Sequence, residues 1–428
     1  MNDVIKYIIE FLLNDNCDLA DTIGYTSDVQ EFSKYKVVII PSAFFNKEIY
    51  GQKKSLPTLP LKELDGTPIL YGDAKIEQLN NTIIVNADII ASTYFLITRY
   101  EEFIYPNDNR DEHGRYIGKQ SLPYIAGFIK RPIVDEYSNL LLKYLSAAGC
   151  DIKPTKSKIK NIYLTHDIDF LTHYRSLRGF LGGIKRNLFS PSKLCKVLKS
   201  ITKLENDPDY TYTWILEQDR KIENAKSIYF VKSAIKQDAA DYPNYNLKGK
   251  DFTKIRNLLQ KNNCKFGLHT SYFSSSNLAY ISKEKQKLEQ SLNFEITFNR
   301  WHFLRTLQPT DYQHLERYGI TDDFSLGYAD VAGFRLGTAR PVHWINPKTF
   351  EVGKLLLHPL SAMDCTFSNS NYMNLSENEA FEQIKILLNE IKKYNGEVVL
   401  LWHNSIFAED NYHKSLYINI INELKRII

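Results

Sequence analysis

Asn161-Ile162-Tyr163-Leu164-Thr165-His166-Asp167-Ile168-Asp169 is the stretch on which the reading of this chain turns. Its first half is apolar enough for a strand. Its second half sets two carboxylates two residues apart, and side chains so spaced on a strand project to one side. Asp167 and Asp169 are therefore expected to share a site at a strand end, although an Asx turn would use the same residues. Further strand-like runs follow at 227–231, 265–269, 296–303, 354–357 and 397–402, with helical patterns between them. Strands alternating with helices imply a parallel sheet, and roughly 270 residues of such alternation suit closure into a barrel. In barrels of this kind chemistry gathers where strands end.

Three of these runs have a histidine at or beside their ends. Gly267-Leu268-His269-Thr270 closes one, and Leu401-Trp402-His403-Asn404 closes another. In Asn299-Arg300-Trp301-His302-Phe303, strand alternation puts Arg300 and His302 on one face and Trp301 and Phe303 on the other. A lone histidine is more often a hydrogen-bonded structural residue, but three at three strand ends form a constellation. Asp169, His269 and His302 together offer one carboxylate and two imidazoles, a donor set for Zn²⁺ or another borderline divalent ion with an open position. Asp167 and His403 remain for proton transfer. Asp364, after another run, is expected to face either substrate or His403, and a turn would serve it equally well. Trp402 is expected at the substrate.

These motifs, in this order, resemble those of the polysaccharide deacetylase family, carbohydrate esterases on a distorted (β/α) barrel, over residues 160–428. Thr165 to Asp169 resembles the family's opening motif, which implies Asp167 as base and Asp169 as metal ligand. Ser227-Ile228-Tyr229-Phe230-Val231 resembles its apolar second strand. Gly267-Leu268-His269-Thr270-Ser271-Tyr272-Phe273 resembles its H-[ST]-x-x-H motif, except that Phe273 stands where the second histidine belongs; His302 is the expected replacement. The place of Arg300 along the chain implies the arginine that orients the base, with Arg335 of Gly333-Phe334-Arg335 as a second candidate. His403 matches the closing motif, whose histidine is the general acid. The resemblance implies a metal-dependent hydrolase of carbon–nitrogen (amide) bonds that releases acetate from an N-acetylated glycan, with Zn²⁺ foremost as cofactor. Two rivals stand beside it. One is a glycoside hydrolase using paired carboxylates such as Asp167 and Asp364. The other is a carbohydrate-binding relative without catalysis, to which Phe273 points.

Outward from this region, 428 residues suit a barrel plus a smaller partner. Apolar runs at 36–41 and 82–86, with helical patterns at 88–103 and 133–148, give a first α/β unit over 1–150. The polar, Pro-broken stretch 151–160 reads as a linker and 161–428 as the barrel. With 54 basic and 50 acidic residues the net charge of +4 excludes a case for nucleic acid. Five scattered cysteines suggest neither a disulfide framework nor a thiolate zinc site, and a cytoplasmic location is expected. Charged residues at 99–102 and 111–115 read as solvated. The stretch 171–204 carries eight Lys or Arg and no acid, with apolar residues at helical spacing. It reads either as surface helices packed on the barrel or as a contact with an anionic surface, whether membrane headgroups or an acidic or lipid-pyrophosphate-linked glycan.

Overall fold

The computed structural model describes residues 1–236, 238–408 and 411–428. From Asn161 onward the chain builds a nine-stranded sheet. Its strands are β1 (Asn161–Ile168), β2 (Lys226–Lys232), β3 (Lys265–Thr270), β4 (Phe298–Trp301), β5 (Asp322–Leu326), β6 (Val342–Asn346), β7 (Glu351–Pro359), β8 (Ala362–Met363) and β9 (Glu397–Leu401). Their order is β6-β7-β5-β4-β3-β2-β1-β9-β8, and β6 with β7 is the antiparallel pair. The sheet curls round through chain continuity. β7 pairs with β5 as far as Pro359, and after two intervening residues the same segment pairs, as β8, with β9. Between them Leu360 N–H donates to Leu326 O (3.1 Å) and Ser361 N–H to Val399 O (2.9 Å). A single segment thus joins both sides of the curl, giving a distorted (β/α) barrel.

Alternation along the strands sorts their side chains. Ile162, Leu164 and Ile168 join the large core between sheet and helices. Tyr163 packs with Phe230, Phe324, Val399 and Leu401 in a separate cluster within the curl. Thr165, Asp167 and Asp169 share the parity of Tyr163 and point the same way. Strand 296–303 is shorter than its sequence suggests. The ladder stops at Trp301, and His302–Leu304 forms a 3₁₀ turn with Phe303 at φ 61°.

The preceding residues form a four-stranded sheet in the order Ile23–Tyr25, Val37–Ile39, Thr82–Ala87, Gly72–Leu79. Helices Asn2–Leu13 and Ile133–Ala147 pack nearby, with Val4, Ile8 and Leu12 fully buried. The helix expected over 88–103 is broken into Ile89–Ile97 and Tyr100–Ile104, with Arg99 between them in the left-handed region at φ 56°. The break lets the buried Arg99 guanidinium donate to Glu102 (2.5 Å) and Thr306 O (3.0 Å). Residues 99–102 are therefore not a solvated helix end. Residues 151–160 contain neither helix nor strand.

Candidate active site

Strand register explains why the expected residues meet. Lys232 pairs with His269 and His269 with Arg300, so these positions form one row across β2, β3 and β4, and Asp169 follows β1 at the same end. Asp169 Oδ1 lies 3.3 Å from His269 Nε2 and 3.3 Å from His302 Nε2. His302 has left the strand, yet its ring still reaches the row. The three donor groups lie within 4.8 Å of one another. Lys232, which belongs to no motif of the sequence, brings its buried ammonium to 3.9 Å from Asp169 and donates to Asp241 O at 3.2 Å.

Each imidazole is held at its far nitrogen. His269 Nδ1–H donates to Arg300 O (3.0 Å), and His302 Nδ1–H donates to Asp241 Oδ1 (2.8 Å). Asp241 is fully buried and also accepts from the backbone N–H groups of Tyr272 (2.7 Å) and Phe273 (3.1 Å). With its protons on Nδ1, each ring turns an Nε2 lone pair toward a carboxylate oxygen, an arrangement of acceptors that calls for a cation. His269 Nε2 and Asp169 Oδ1 are both buried without a hydrogen-bond partner. Two ligands bonded at about 2.05 Å to one tetrahedral ion stand about 3.3 Å apart, which matches the observed separations. The residues present therefore fit a divalent metal. Burial lowers the His302 pKa, but Asp169 and Asp241 outweigh burial and raise it. Burial likewise disfavours ionised Asp169, yet His302 and His269 hold its carboxyl well below the usual range.

Asp167 stands beside this set, nearly fully buried, with Oδ2 3.5 Å from His269 Nε2. Arg300 Nη1 donates to Asp167 Oδ1 at 3.4 Å while Nη2 donates to Thr165 Oγ1 at 2.8 Å, so Arg300 lies where an orienting guanidinium is needed. Arg335 does not. Its guanidinium is engaged by Glu102 (2.8 and 2.9 Å) and Gly327 O (2.8 Å), and it takes no part beside Asp167. On the far side His403 approaches Asp169 Oδ2 to 3.6 Å through Nε2, while its Nδ1 is held at 3.0 Å by both oxygens of Asp364. Burial alone would lower the His403 pKa; the Asp364 carboxylate reverses that and raises it well above the ordinary imidazole value. Cys365, in the same cluster, has its thiol pKa raised by burial and by Asp364, so it stays protonated.

Of the two expected substrate contacts, neither faces open space. Asp364 is fully buried and spends its oxygens on His403, including the His403 N–H (2.7 Å), and on the Cys365 N–H (2.6 Å). Trp402 is fully buried on the helix side of the sheet against Tyr417, because its parity is opposite to that of Leu401 and His403. His166 shares that outward parity and bonds Asp219 (3.2 Å) and Trp402 O (3.0 Å).

Asp167, Asp169, His302 and His403 line a cavity of about 350 Å³ whose apolar wall includes Met363, Leu401 and Ile406. Arg115 also lines it, donating to Phe303 O (3.2 Å) and Tyr372 Oη (2.8 Å) from a loop fixed by Asp111 (2.7 Å). The solvated reading of 111–115 is therefore corrected at Arg115. Local charge density could not have revealed this, since the partners lie about 190 and 260 positions away along the chain.

Residues 2–149 match the profile of a family described as "Family of unknown function (DUF7033)". No curated protein matches the chain. Among solved structures, the chain is similar to a protein of Mycobacterium smegmatis described as a candidate polysaccharide deacetylase. The identity is 13% and the TM-score 0.41, covering 64% of this chain and 87% of the other. It is also similar to a BA3943 mutant described as a CE4 family pseudoenzyme with restored enzymatic activity. Here the identity is 11% and the TM-score 0.32, covering 65% of this chain and 68% of the other. A second BA3943 mutant, described as a CE4 family pseudoenzyme, is similar at 10% identity and a TM-score of 0.33, with 65% and 67% covered.

Proposed function

We propose that this chain is a divalent-metal-dependent hydrolase that removes the acetyl group from an N-acetylated sugar of a glycan or glycan precursor. The observation that carries the reading is the pair of buried, unpartnered atoms, His269 Nε2 and Asp169 Oδ1, facing each other beside Asp167 and His403. Asp169, His269 and His302 would hold the ion, with Zn²⁺ foremost. When bound, the ion supplies Lewis acidity toward the acetamide carbonyl.

The remaining chemistry belongs to the side chains. Asp167, oriented by Arg300, accepts a proton from the attacking water. His403, kept protonated by Asp364, delivers a proton to the departing sugar nitrogen. Met363, Leu401 and Ile406 give the acetyl methyl an apolar wall. Acetate and a free amino sugar result. A glycosidase built on Asp167 and Asp364 is disfavoured, because Asp364 is fully buried behind His403 and closed to a sugar ring.

The test combines elemental analysis with an acetate-release assay on N-acetylated oligosaccharides, for the unmodified chain and for Asp169→Ala, His269→Ala and His302→Ala. We expect about one metal ion per chain, and loss of both metal and acetate release in each variant. Full metal content and activity in His302→Ala would overturn the ligand set. Glycan binding without metal or acetate release would favour a binding protein.

A further inference from the structure

The stretch 171–204 folds as two helices, Leu177–Asn187 and Pro191–Thr202, joined at Leu188-Phe189-Ser190. The first carries one broad apolar stripe. Its inner edge is buried at Gly183 and partly covered at Phe180 and Ile184. Leu177 and Leu181 continue the stripe outward and remain 76% and 57% exposed; Leu188 follows them at helical spacing, also 57% exposed. At the tip Phe189 is fully open to solvent, and Leu198 of the second helix is half exposed. Burial within this chain explains only the inner edge.

The charge around the outer face has one sign. Arg178, Lys185 and Arg186 flank the leucines of the first helix, and Lys193, Lys196 and Lys199 lie along the second, with no acid from 171 to 204. Beneath the first helix lies a cavity of about 750 Å³ whose lining includes Arg178, Arg186 and Lys250. Phe170 and His173 border both this cavity and a neighbouring one, whose Ser405 and Ile406 in turn line the candidate active site. No described helix is long and apolar enough to cross a membrane.

We propose that this hairpin is a peripheral docking element for an anionic lipid bilayer. Leu188 and Phe189 at its tip, with Leu177 and Leu181, enter the acyl boundary, and the surrounding cations meet lipid phosphates. A partner protein's apolar groove would bury the leucines equally well, but cations without any acid on the same two helices select a surface that is apolar within and anionic at its rim. The inference is independent of the proposed reaction.

The test is co-sedimentation of the full chain with vesicles of phosphatidylcholine alone and with about a third phosphatidylglycerol, at low salt. Binding is expected to the anionic vesicles, at least tenfold stronger than to neutral ones and falling as salt rises. Leu188→Ser with Phe189→Ser, both exposed and thus harmless to folding, is expected to weaken it at least tenfold. Lys193→Glu, Lys196→Glu and Lys199→Glu together are expected to abolish it. Metal content and thermal melting should match the unmodified chain in both variants. Absence of binding to anionic vesicles, or unchanged binding by the tip variant, would overturn the proposal. So would a dimer in light scattering that the tip variant dissociates, since the face would then serve a second copy.

Discussion

Asp241→Asn is expected to weaken metal binding ten- to a hundredfold while altering a single atom of the chain. Asp241 Oδ1 accepts from Tyr272 N–H at 2.7 Å and from His302 Nδ1 at 2.8 Å, and Oδ2 accepts from Phe273 N–H at 3.1 Å. Both oxygens are committed to donors, and asparagine has one oxygen to offer. If that oxygen stays with Tyr272 and His302, the amide NH₂ confronts the Phe273 N–H and folding loses about 1–3 kcal/mol. The His302 tautomer survives, but its partner is now neutral, and partners of this kind are worth about 10–100-fold in affinity, or roughly 1.4–2.7 kcal/mol. In the opposite flip the NH₂ faces His302 Nδ1. The ring must then accept there and carry its proton on Nε2, where Asp169 waits, and ligation is lost altogether. A Zn²⁺ competition titration against a chromophoric chelator, paired with melting of the metal-free protein, separates the two costs. A dissociation constant within threefold of the unmodified chain would refute the claim that Asp241 sets the His302 lone pair.

Two further outcomes follow from neighbouring geometry. Asp364→Asn and His403→Gln should each lower kcat for acetate release by about 10²–10⁴ with metal content unchanged, since both act on proton delivery; full loss of metal would instead make them part of the ligand set. His358 lies between Glu397 (2.5 Å) and Asp322 (2.9 Å), and although burial lowers its pKa, these carboxylates raise it from 6.5 to about 9. The sign follows from the raised value. The stabilisation is complete below pH 6.5, declines as pH rises through 9, and amounts to on the order of 3 kcal/mol for this buried ring. Urea midpoints at pH 6 and pH 9.5 should show that loss, and His358→Gln should flatten it; an equal decline in the variant would place the effect elsewhere.

Much of the barrel was legible because its strands are apolar and its polar residues keep strict parity. Counting by twos from Tyr163 yields Thr165, Asp167 and Asp169 on the inner side, and Leu401 with His403 likewise. The same count, carried one step further, places Trp402 on the helix side and Lys232 beside Phe230 on the inner one. β5 carries no strand signal, because Asp322-Asp323-Phe324-Ser325-Leu326 does not read as an apolar run. Asp323 is nonetheless fully buried, with Asn299 (2.8 Å) and Ser325 (3.0 Å) as partners. Asp241 left no periodic signal at all, since it lies in a short 3₁₀ turn after β2 and meets His302 across 61 positions. Arg335 satisfied a motif by type and order, but its partner Glu102 is 233 positions away, a pairing that no local pattern encodes.

That distant pairing bears on whether the barrel stands alone. The division proposed at 151–160 separates two stretches of sequence, but buried charges cross it. Glu102, held well below the usual carboxylate range despite burial by Arg335 and Arg99, neutralises Arg335. Asp135 takes Arg340 (2.7 Å), Thr338 (2.9 Å) and the Ala339 N–H (2.7 Å). Phe334 N–H donates to Ile129 O and Val134 N–H to Gly337 O, so residues 334–340 lie against the first part of the chain. A fragment of 161–428 would keep both arginines and lose both carboxylates. Deleting 1–160 would also uncover this stretch, so each guanidinium would exchange its carboxylate for water while the bonds to Ile129 O and from Val134 N–H are lost and the apolar seam is opened. The fragment would also lack Arg115 and with it part of the cavity wall. We expect the isolated fragment to be unfolded or to melt far below the full chain, and to release no acetate. A fragment with cooperative melting and activity equal to the full chain would show that water suffices in place of both carboxylates, and that the first 160 residues are not needed to complete the site.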